Sequence, residues 1–88
     1  MKLTRQQVYE LIDGEREYQD KRWKVENGAR VLHSPEEWLV YIEDYLNEAK
    51  HICSREEYGV CEAKAMNIMR KIAAMAVCAM EQNGSQPR

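Results

Sequence analysis

Two acidic side chains in the middle of the chain have the spacing of a simple magnesium site. Asp44 and Glu48 are four residues apart, so in a helix they lie on the same face, one turn from each other. Carboxylates at this spacing can hold a hard cation such as Mg²⁺. The alternative is a solvated acidic face balanced by Lys50. We therefore expect no cofactor, and Mg²⁺ only if the Asp44/Glu48 site is active.

A second group of residues has the chemistry to bind a ring and an anion. Gln19 and Trp23 lie one helical turn apart, as do Arg16 and Asp20. On such a face a tryptophan ring can stack on a planar base while a cation binds its phosphate. The alternative is an ion-paired surface with Trp23 in the core. The cations available on this segment are Arg16, Lys21 and Arg22.

The histidines and cysteines form no recognisable metal or nucleophile motif. His51 and Cys53 lie on different helix faces, and no second close pair follows them. The three cysteines are an odd set without paired spacing, which is typical of reduced thiols in a cytosolic protein. No Gly-rich phosphate loop is present. We expect neither a catalytic residue nor a metal ligand from this set.

Length and charge limit the class of protein. A chain of 88 residues allows one domain with a modest core. Its net charge of −2 argues against general nucleic-acid binding, which needs a basic excess. The longest apolar run, residues 72–80, is much shorter than the ~20 residues of a membrane helix. We expect one helical domain over residues 1–84, a frayed tail over 85–88, no membrane association and a cytoplasmic location.

Capping residues mark the starts of the first two predicted helices. Thr4 and Gln7 form a capping box, from which we place helix 1 at residues 4–25. The clearest start signal is the segment 34–37, in which a serine N-cap precedes a proline and a reciprocal glutamate. This segment predicts the start of helix 2.

The third helix has a less certain start and a clear end. Ser54 and Glu57 form another capping box, although Gly59 favours a start nearer Val60. The helix runs to about Gln82 and ends at Asn83-Gly84. Apolar residues recur at helical spacing in all three segments. The expected inward stripes are Val8, Leu11, Ile12, Tyr18 and Trp23 in helix 1; Trp38, Leu39, Ile42, Tyr45, Leu46, Ala49, Ile52 and Cys53 in helix 2; and Cys61, Ala65, Ile68, Ile72, Met75, Ala76 and Ala79 in helix 3.

The run 72–80 of helix 3 is apolar on every side, and it predicts self-association. A helix that is apolar all round must be buried all round. Two other short helices cannot surround it, so we expect a homo-oligomer, most simply a dimer through helix 3. The alternative is a tight core within one chain. The predicted fold is all-α, a three-helix antiparallel hairpin or bundle with helix 3 longest, completed by oligomerisation.

Three blocks of sequence together resemble a known family. They are Glu15-Arg16-x-x-Gln19-Asp20-x-x-Trp23, His33-Ser34-Pro35-Glu36-Glu37-Trp38-Leu39 and Ile72-Ala73-Ala74-x-Ala76-Val77. In this order they resemble small phage-encoded relatives of the MazG-like, all-α nucleoside triphosphate pyrophosphohydrolases. The resemblance covers about residues 10–83. It implies a helical, oligomeric protein that binds nucleotides through Mg²⁺, held by an E-x-x-E motif and an E-x-x-D motif on successive helices.

The chain departs from this family at the metal-binding acids. Where the first motif belongs it has Tyr45-Leu46-Asn47-Glu48, so only Glu48 is retained, with Asp44 as a substitute from the preceding position. Where the second belongs, around residues 67–71, it has Arg70 and Lys71 and no acid. Cations in place of acids reverse the charge of the site, which then suits phosphate better than Mg²⁺.

We therefore predict a catalytically degenerate relative that binds a nucleotide-like or other anionic ligand without hydrolysis. It would act in the host cytoplasm if phage-encoded, as a host-defence antagonist that sequesters a signalling nucleotide. The alternatives are an interaction module that inhibits or adapts a host protein, and a residual Mg²⁺-dependent pyrophosphohydrolase. The predicted ligand-binding residues are Arg16, Gln19, Trp23, Tyr45, Glu48, Arg70 and Lys71.

Overall fold

Three α-helices make up most of the part of the chain that the structure describes. The computed structural model describes residues 2–23, 32–55 and 60–88, and within them no β-strand occurs. Helix α1 spans Arg5–Arg22, α2 spans Pro35–Arg55 and α3, the longest, spans Val60–Asn83. The predicted all-α class and the prediction that helix 3 is the longest helix are confirmed. Residues 24 and 25 of the predicted helix 1 lie outside the described residues.

The first two helix starts are formed as the sequence indicates. The Thr4 hydroxyl accepts a hydrogen bond from the Gln7 N–H at 3.2 Å, and the Gln7 side chain accepts one from the Thr4 N–H at 2.8 Å. The Ser34 hydroxyl likewise accepts from the Glu37 N–H at 3.2 Å, while Glu37 Oε1 accepts from the Ser34 N–H at 3.1 Å. In each box two amide donors that the helix leaves unpaired are satisfied.

The boundaries of α3 agree with only part of the prediction. Val60 is the first described residue of α3. Ser54 is not its N-cap, because it lies in the last turn of α2, where its hydroxyl donates to the His51 carbonyl at 2.8 Å, and Glu57 lies outside the described residues. At the other end the chain stops as expected, because Gly84 has a φ of 81° and its N–H donates to the Met80 carbonyl at 2.8 Å. A left-handed residue just after the last turn is the usual way in which glycine ends a helix.

Helix α3 is the central element, with α1 and α2 on its two sides. The start of α2 is fixed to the end of α3 by Gln82, whose Oε1 accepts hydrogen bonds from the His33 N–H and the Trp38 indole N–H, both at 3.0 Å. These two helices therefore run antiparallel. No Cα atom of α1 comes within 8 Å of a Cα atom of α2. The space between α1 and α2 is consequently a cleft with α3 as its floor.

The apolar core lies between α2 and α3 and is small. Trp38, Met75 and Cys78 are buried, and Ile42, Tyr45 and Ala79 pack around them. The inward members of the predicted helix 2 and helix 3 stripes are thus largely confirmed. Leu39 and Leu46 are exceptions, since they are 67% and 44% exposed on the outside of α2, and so is Cys53, which is exposed near the end of the helix.

The predicted apolar stripe of α1 is wrong. Val8, Leu11 and Tyr18 are all exposed, and the buried residues of this helix are Arg16 and Gln19. Of the predicted stripe only Ile12 is half-buried, and the hydrogen bonds that join α1 to α3 come from charged and amide side chains. A hydrophobic periodicity does not reveal a contact of this kind.

The apolar run of α3 is incompletely covered within one chain. Ala74, Met75 and Cys78 are buried, but Met80 remains 48% exposed and the other members are half-buried. Within the described residues one chain therefore leaves part of this run exposed, and self-association through helix 3 stays a prediction.

Replacement of Ser34 by Ala is expected to lower the free energy of unfolding by about 1 kcal/mol, because it removes the cap on the Glu37 N–H. Ser85→Ala, in the exposed segment after α3, is the matched control and should change nothing. Urea denaturation followed by circular dichroism measures both variants. Equal midpoints for Ser34→Ala and the wild type would mean that the cap contributes no stability.

Candidate functional site

The Arg16 guanidinium is the main link between α1 and α3. Arg16 is only 6% exposed. Its Nε and Nη2 donate to the two carboxylate oxygens of Glu81 at 2.8 and 3.0 Å. Its Nη1 lies 3.0 Å from Oδ1 of Asp20, one helical turn along α1. The Glu81 hydrogen bonds, opposed by burial, raise the pKa of Arg16 above its usual range, so the side chain is charged at every accessible pH.

A second ion pair joins the same two helices. The Arg70 Nε donates to Glu15 Oε1 at 2.8 Å, and its Nη1 donates to Asn67 Oδ1 at 3.1 Å. The Glu15 side chain is 9% exposed. Both arginines predicted to contact a ligand anion are therefore already paired with carboxylates of the same chain.

Gln19 lies beside these ion pairs and has an unused acceptor. Its side-chain N–H donates to the Lys71 carbonyl at 3.4 Å, a long hydrogen bond. Its Oε1 is buried and has no hydrogen-bond partner among the described residues. Buried polar atoms are nearly always paired, so this oxygen marks a place where a donor is missing.

Two adjoining pockets occupy the cleft. The first, here called the aromatic pocket, has a volume of about 280 Å³, and the second, the polar pocket, about 240 Å³. Both share Trp23, Tyr45 and Met75. The aromatic pocket is completed by His33, Trp38, Tyr41 and Asp44. The polar pocket is completed by Glu15, Tyr18, Gln19, Arg22 and Lys71.

The rings of the aromatic pocket hold one another in place. The Trp38 ring packs at 6.3 Å from the Trp23 ring, centroid to centroid. The His33 ring meets Trp38 and Tyr41 edge-on, at 5.4 and 5.1 Å. His33 Nδ1 also lies 3.4 Å from Glu37 Oε2. Edge-to-face contacts are favourable arrangements of aromatic rings, so the His33, Trp38 and Tyr41 rings support one another in this pocket.

The charge in the polar pocket is not fully balanced within the chain. Glu15 is neutralised by Arg70 from outside the pocket. This leaves Arg22 and Lys71, neither of which forms an ion pair with another described residue. The polar pocket is therefore the cationic end of the cleft, and the aromatic pocket is its apolar end.

The structure brings together four of the seven predicted ligand-binding residues. Gln19, Trp23, Tyr45 and Lys71 line the cleft. Arg16 and Arg70 support its α1 wall through their ion pairs instead of lining it. Glu48 is exposed on α2 and lines neither pocket, although Asp44, its predicted partner in a magnesium site, lines the aromatic one.

Several lining residues were not among the predicted ligand-binding set. They are Glu15, Tyr18, Arg22, His33, Trp38, Tyr41, Asp44 and Met75. A signal existed for two of them, because Trp38 belongs to the predicted inward stripe of α2 and Tyr41 lies one turn before Tyr45. The role of His33 had no such signal, because it depends on the contact between the start of α2 and the end of α3.

The described ranges contain neither a metal-binding cluster nor a membrane-spanning helix. In residues 2–23, 32–55 and 60–88, no three His, Cys, Asp or Glu side chains converge in a way that would hold a metal ion. In the same ranges no helix has both the length and the apolarity to cross a membrane. The cysteines are free thiols.

Comparison with known proteins finds no match, whether to family models, to curated proteins or to solved structures. The geometry of the cleft is thus the main evidence on function.

Replacement of Glu81 by Gln is expected to lower the free energy of unfolding by about 2 kcal/mol, since it weakens a charge-assisted pair and leaves Arg16 buried with a poorer partner. Glu17→Gln, an exposed acid on α1, is the matched control. Thermal or urea denaturation measures the difference. Loss of stability confined to the control, or equal in both variants, would show that the Arg16–Glu81 pair does not secure α1.

Proposed function

We propose that the cleft between α1 and α2 binds a small ligand that combines a planar ring with an anionic group, such as a nucleotide, without hydrolysing it. The observation that carries this proposal is the pairing of an aromatic pocket and a cationic pocket that share Trp23, Tyr45 and Met75. Ligand sites usually enclose about 300 Å³ or more, so a ligand would use both pockets together.

The aromatic pocket supports the ring half of the proposal. Trp23 is 40% and Tyr41 39% exposed, so part of each ring is accessible to a ligand. Both rings also pack against the buried Trp38 ring. Stacking of a base on an aromatic side chain contributes about 1–3 kcal/mol and tolerates different bases. Asp44 at the rim would accept hydrogen bonds from an exocyclic amine or a ring N–H.

The polar pocket supports the anionic half. Arg22 and Lys71 supply two positive charges without a carboxylate partner among the described residues, and charged hydrogen bonds to phosphate are strong. The unpaired Oε1 of Gln19 favours a ligand that also has a donor near its anionic end, such as a sugar hydroxyl.

Binding without hydrolysis follows from the residues at the motif positions of the resembled family. Only Glu48 and Asp44 remain of the first set of acids, and Glu48 is not in the cleft. In the second set Arg70 stands in place of an acid and is bound to Glu15. The donor set does not suit the magnesium centre that the resemblance implies. In a phage-encoded protein, such binding would sequester a signalling nucleotide of the host.

A protein partner is the second candidate, and one observation favours it. Leu32, Leu39 and Val40 are 72%, 67% and 64% exposed near the start of α2. Apolar side chains grouped on a surface are typical of protein contacts. In this alternative the chain would inhibit or adapt a host protein through the outer face of α2.

We further propose that the protein functions as a homo-oligomer, a dimer at least. The uncovered side of the apolar run in α3 supports this proposal, because apolar side chains without cover favour association in water.

Calorimetry with AMP, a cyclic dinucleotide and pyrophosphate is expected to detect binding of a ring-bearing anion to the wild-type protein. Trp23→Ala and Lys71→Met should each raise the Kd about tenfold, which corresponds to ~1.4 kcal/mol. Lys50→Met, an exposed lysine of α2, should leave the Kd unchanged. Adenosine tests whether the ring alone suffices.

The ligand proposal fails if no ring-bearing anion binds with a Kd below about 100 μM, the range of about −5.5 kcal/mol. Binding that is equally weakened by Lys50→Met and Lys71→Met would show that it is not located in the cleft. Retention of full biological activity by Trp23→Ala, together with its loss in Leu39→Ser, would instead support the protein-partner candidate.

Incubation with Mg²⁺ or Mn²⁺ and a set of common and modified nucleoside triphosphates is expected to release no pyrophosphate above the blank. The reason is the shortage of acids at the two motif positions. Ion chromatography or a coupled phosphate assay measures the release. Turnover that is abolished by Glu48→Gln but retained in Glu36→Gln would contradict this expectation and support the residual pyrophosphohydrolase.

A further inference from the structure

The side of α3 that faces away from α1 and α2 carries a regular apolar stripe. Residues at alternating steps of three and four occupy this side, the spacing of a helix–helix seam. Met66, Met69 and Met80 are 62%, 50% and 48% exposed, whereas the neighbouring faces of α3 contact α1 and α2. We call this set the α3 stripe, and it consists of Met66, Met69, Ala73, Ala76 and Met80.

The flanks of the α3 stripe carry almost no charge. On one side lie Ala65, Ile72 and Ala79, and on the other Val77 and Arg70. The Arg70 guanidinium is turned to Glu15 of α1. The stripe is thus apolar across its full width, which does not suit a charged partner but suits a second apolar helix.

The four central positions of the stripe read the same in both directions. They are Met69, Ala73, Ala76 and Met80, large at the ends and small in the middle, and the next seam position, Asn83, would lie opposite Met66. Two copies placed antiparallel would set Met69 against the partner's Met80 and Ala73 against the partner's Ala76. Small residues at the centre let the helix axes approach closely, and the flexible methionines fill the space on either side.

From this pattern we propose that a second copy of the chain covers the α3 stripe, with the two α3 helices antiparallel about a two-fold axis between residues 73 and 76. The proposal rests on the self-association proposed above and adds its surface and orientation. A two-fold contact requires a surface that complements itself, which a palindromic stripe provides. A parallel pair needs no palindrome, and it would bring the two Glu62 carboxylates, at the preceding seam position, close together, where like charges repel.

The surface is tested by sedimentation at micromolar concentration. The wild type should sediment as a dimer or a multiple of one, and Met69→Lys should give half that mass with unchanged helicity, since Met69 is already half exposed in one chain. Ala76→Glu should dissociate or unfold the assembly, whereas Ala63→Glu, an exposed alanine outside the stripe, should not. A monomeric wild type, or a dimeric Met69→Lys variant, would overturn the proposed surface.

The orientation is tested by disulfide formation in a Cys53→Ser background, because Cys53 is the exposed native thiol. Chains with Met69→Cys and chains with Met80→Cys, distinguished by tags of different length, are mixed and oxidised. The antiparallel seam predicts a crosslink between the two kinds of chain. It keeps two copies of residue 69 about 16 Å apart along the helix axis, too far for a disulfide.

Crosslinks only between identical chains would overturn the antiparallel orientation but leave self-association intact. Calorimetry on Met69→Lys keeps the ligand proposal separate. Nucleotide binding by a monomeric Met69→Lys variant would show that the cleft acts within one chain. If the wild type dimerises without binding any ring-bearing anion, the proposed dimer contact through the α3 stripe is supported and the ligand proposal fails.

Discussion

The buried Arg16 guanidinium determines where α1 can lie, and the cleft exists only because α1 lies there. Almost nothing apolar on α1 is buried, so the helix is held by the bidentate contact with Glu81, the Arg70–Glu15 pair and the Gln19 side chain. A buried guanidinium loses most of its hydration and needs carboxylates at fixed positions in return. The planar guanidinium of Arg16 binds both carboxylate oxygens of Glu81. This contact therefore fixes both the distance and the relative direction of α1 and α3, which an apolar contact would not do.

The opposite wall of the cleft depends on a different kind of contact. Gln82 accepts hydrogen bonds from both the His33 backbone and the Trp38 indole, so the start of α2 is tied to the end of α3. Trp38 then positions the rings of Trp23 and His33. One wall of the cleft is thus fixed by ion pairs and the other by aromatic packing, which is why its two ends differ in chemistry.

The helices and their starts could be predicted because the information is local. A capping box needs two residues three apart, and the boxes at Thr4 and Ser34 are formed as expected. The inner face of α2 and the uncovered side of α3 also follow from periodicity. The attachment of α1 does not, because Arg16 and Glu81 are 65 positions apart and both read as surface residues. Hydrophobic periodicity assigns α1 the wrong face for this reason.

Part of the candidate site was predictable because the chemistry of a side chain can be read from the sequence, whereas its direction cannot. Trp23, Tyr45 and Lys71 have ring or charge chemistry that the sequence displays directly, and they line the cleft. Arg70 has the same charge as Lys71 and is its neighbour, yet the geometry pairs Arg70 with Glu15. Successive residues on a helix point about 100° apart, so adjacent cations can contact different neighbours, and here Arg70 contacts Glu15 while Lys71 lines the cleft. The position of α1 places Glu15 beside Arg70, and this leaves Lys71 as the cation that can contact a ligand.

The three faces of α3 have separate chemistries, and this links the cleft to the stripe. One face meets α1 through polar groups, a second meets α2 through the Trp38 core, and the third is the apolar α3 stripe. Lys71 and Met75, which line the cleft, lie within the same turns as Ala73 and Ala76. A second copy that covered the stripe would hold these turns rigid from behind. Since a ligand that binds an ordered cleft need not supply the ordering free energy itself, self-association and ligand binding would then strengthen each other.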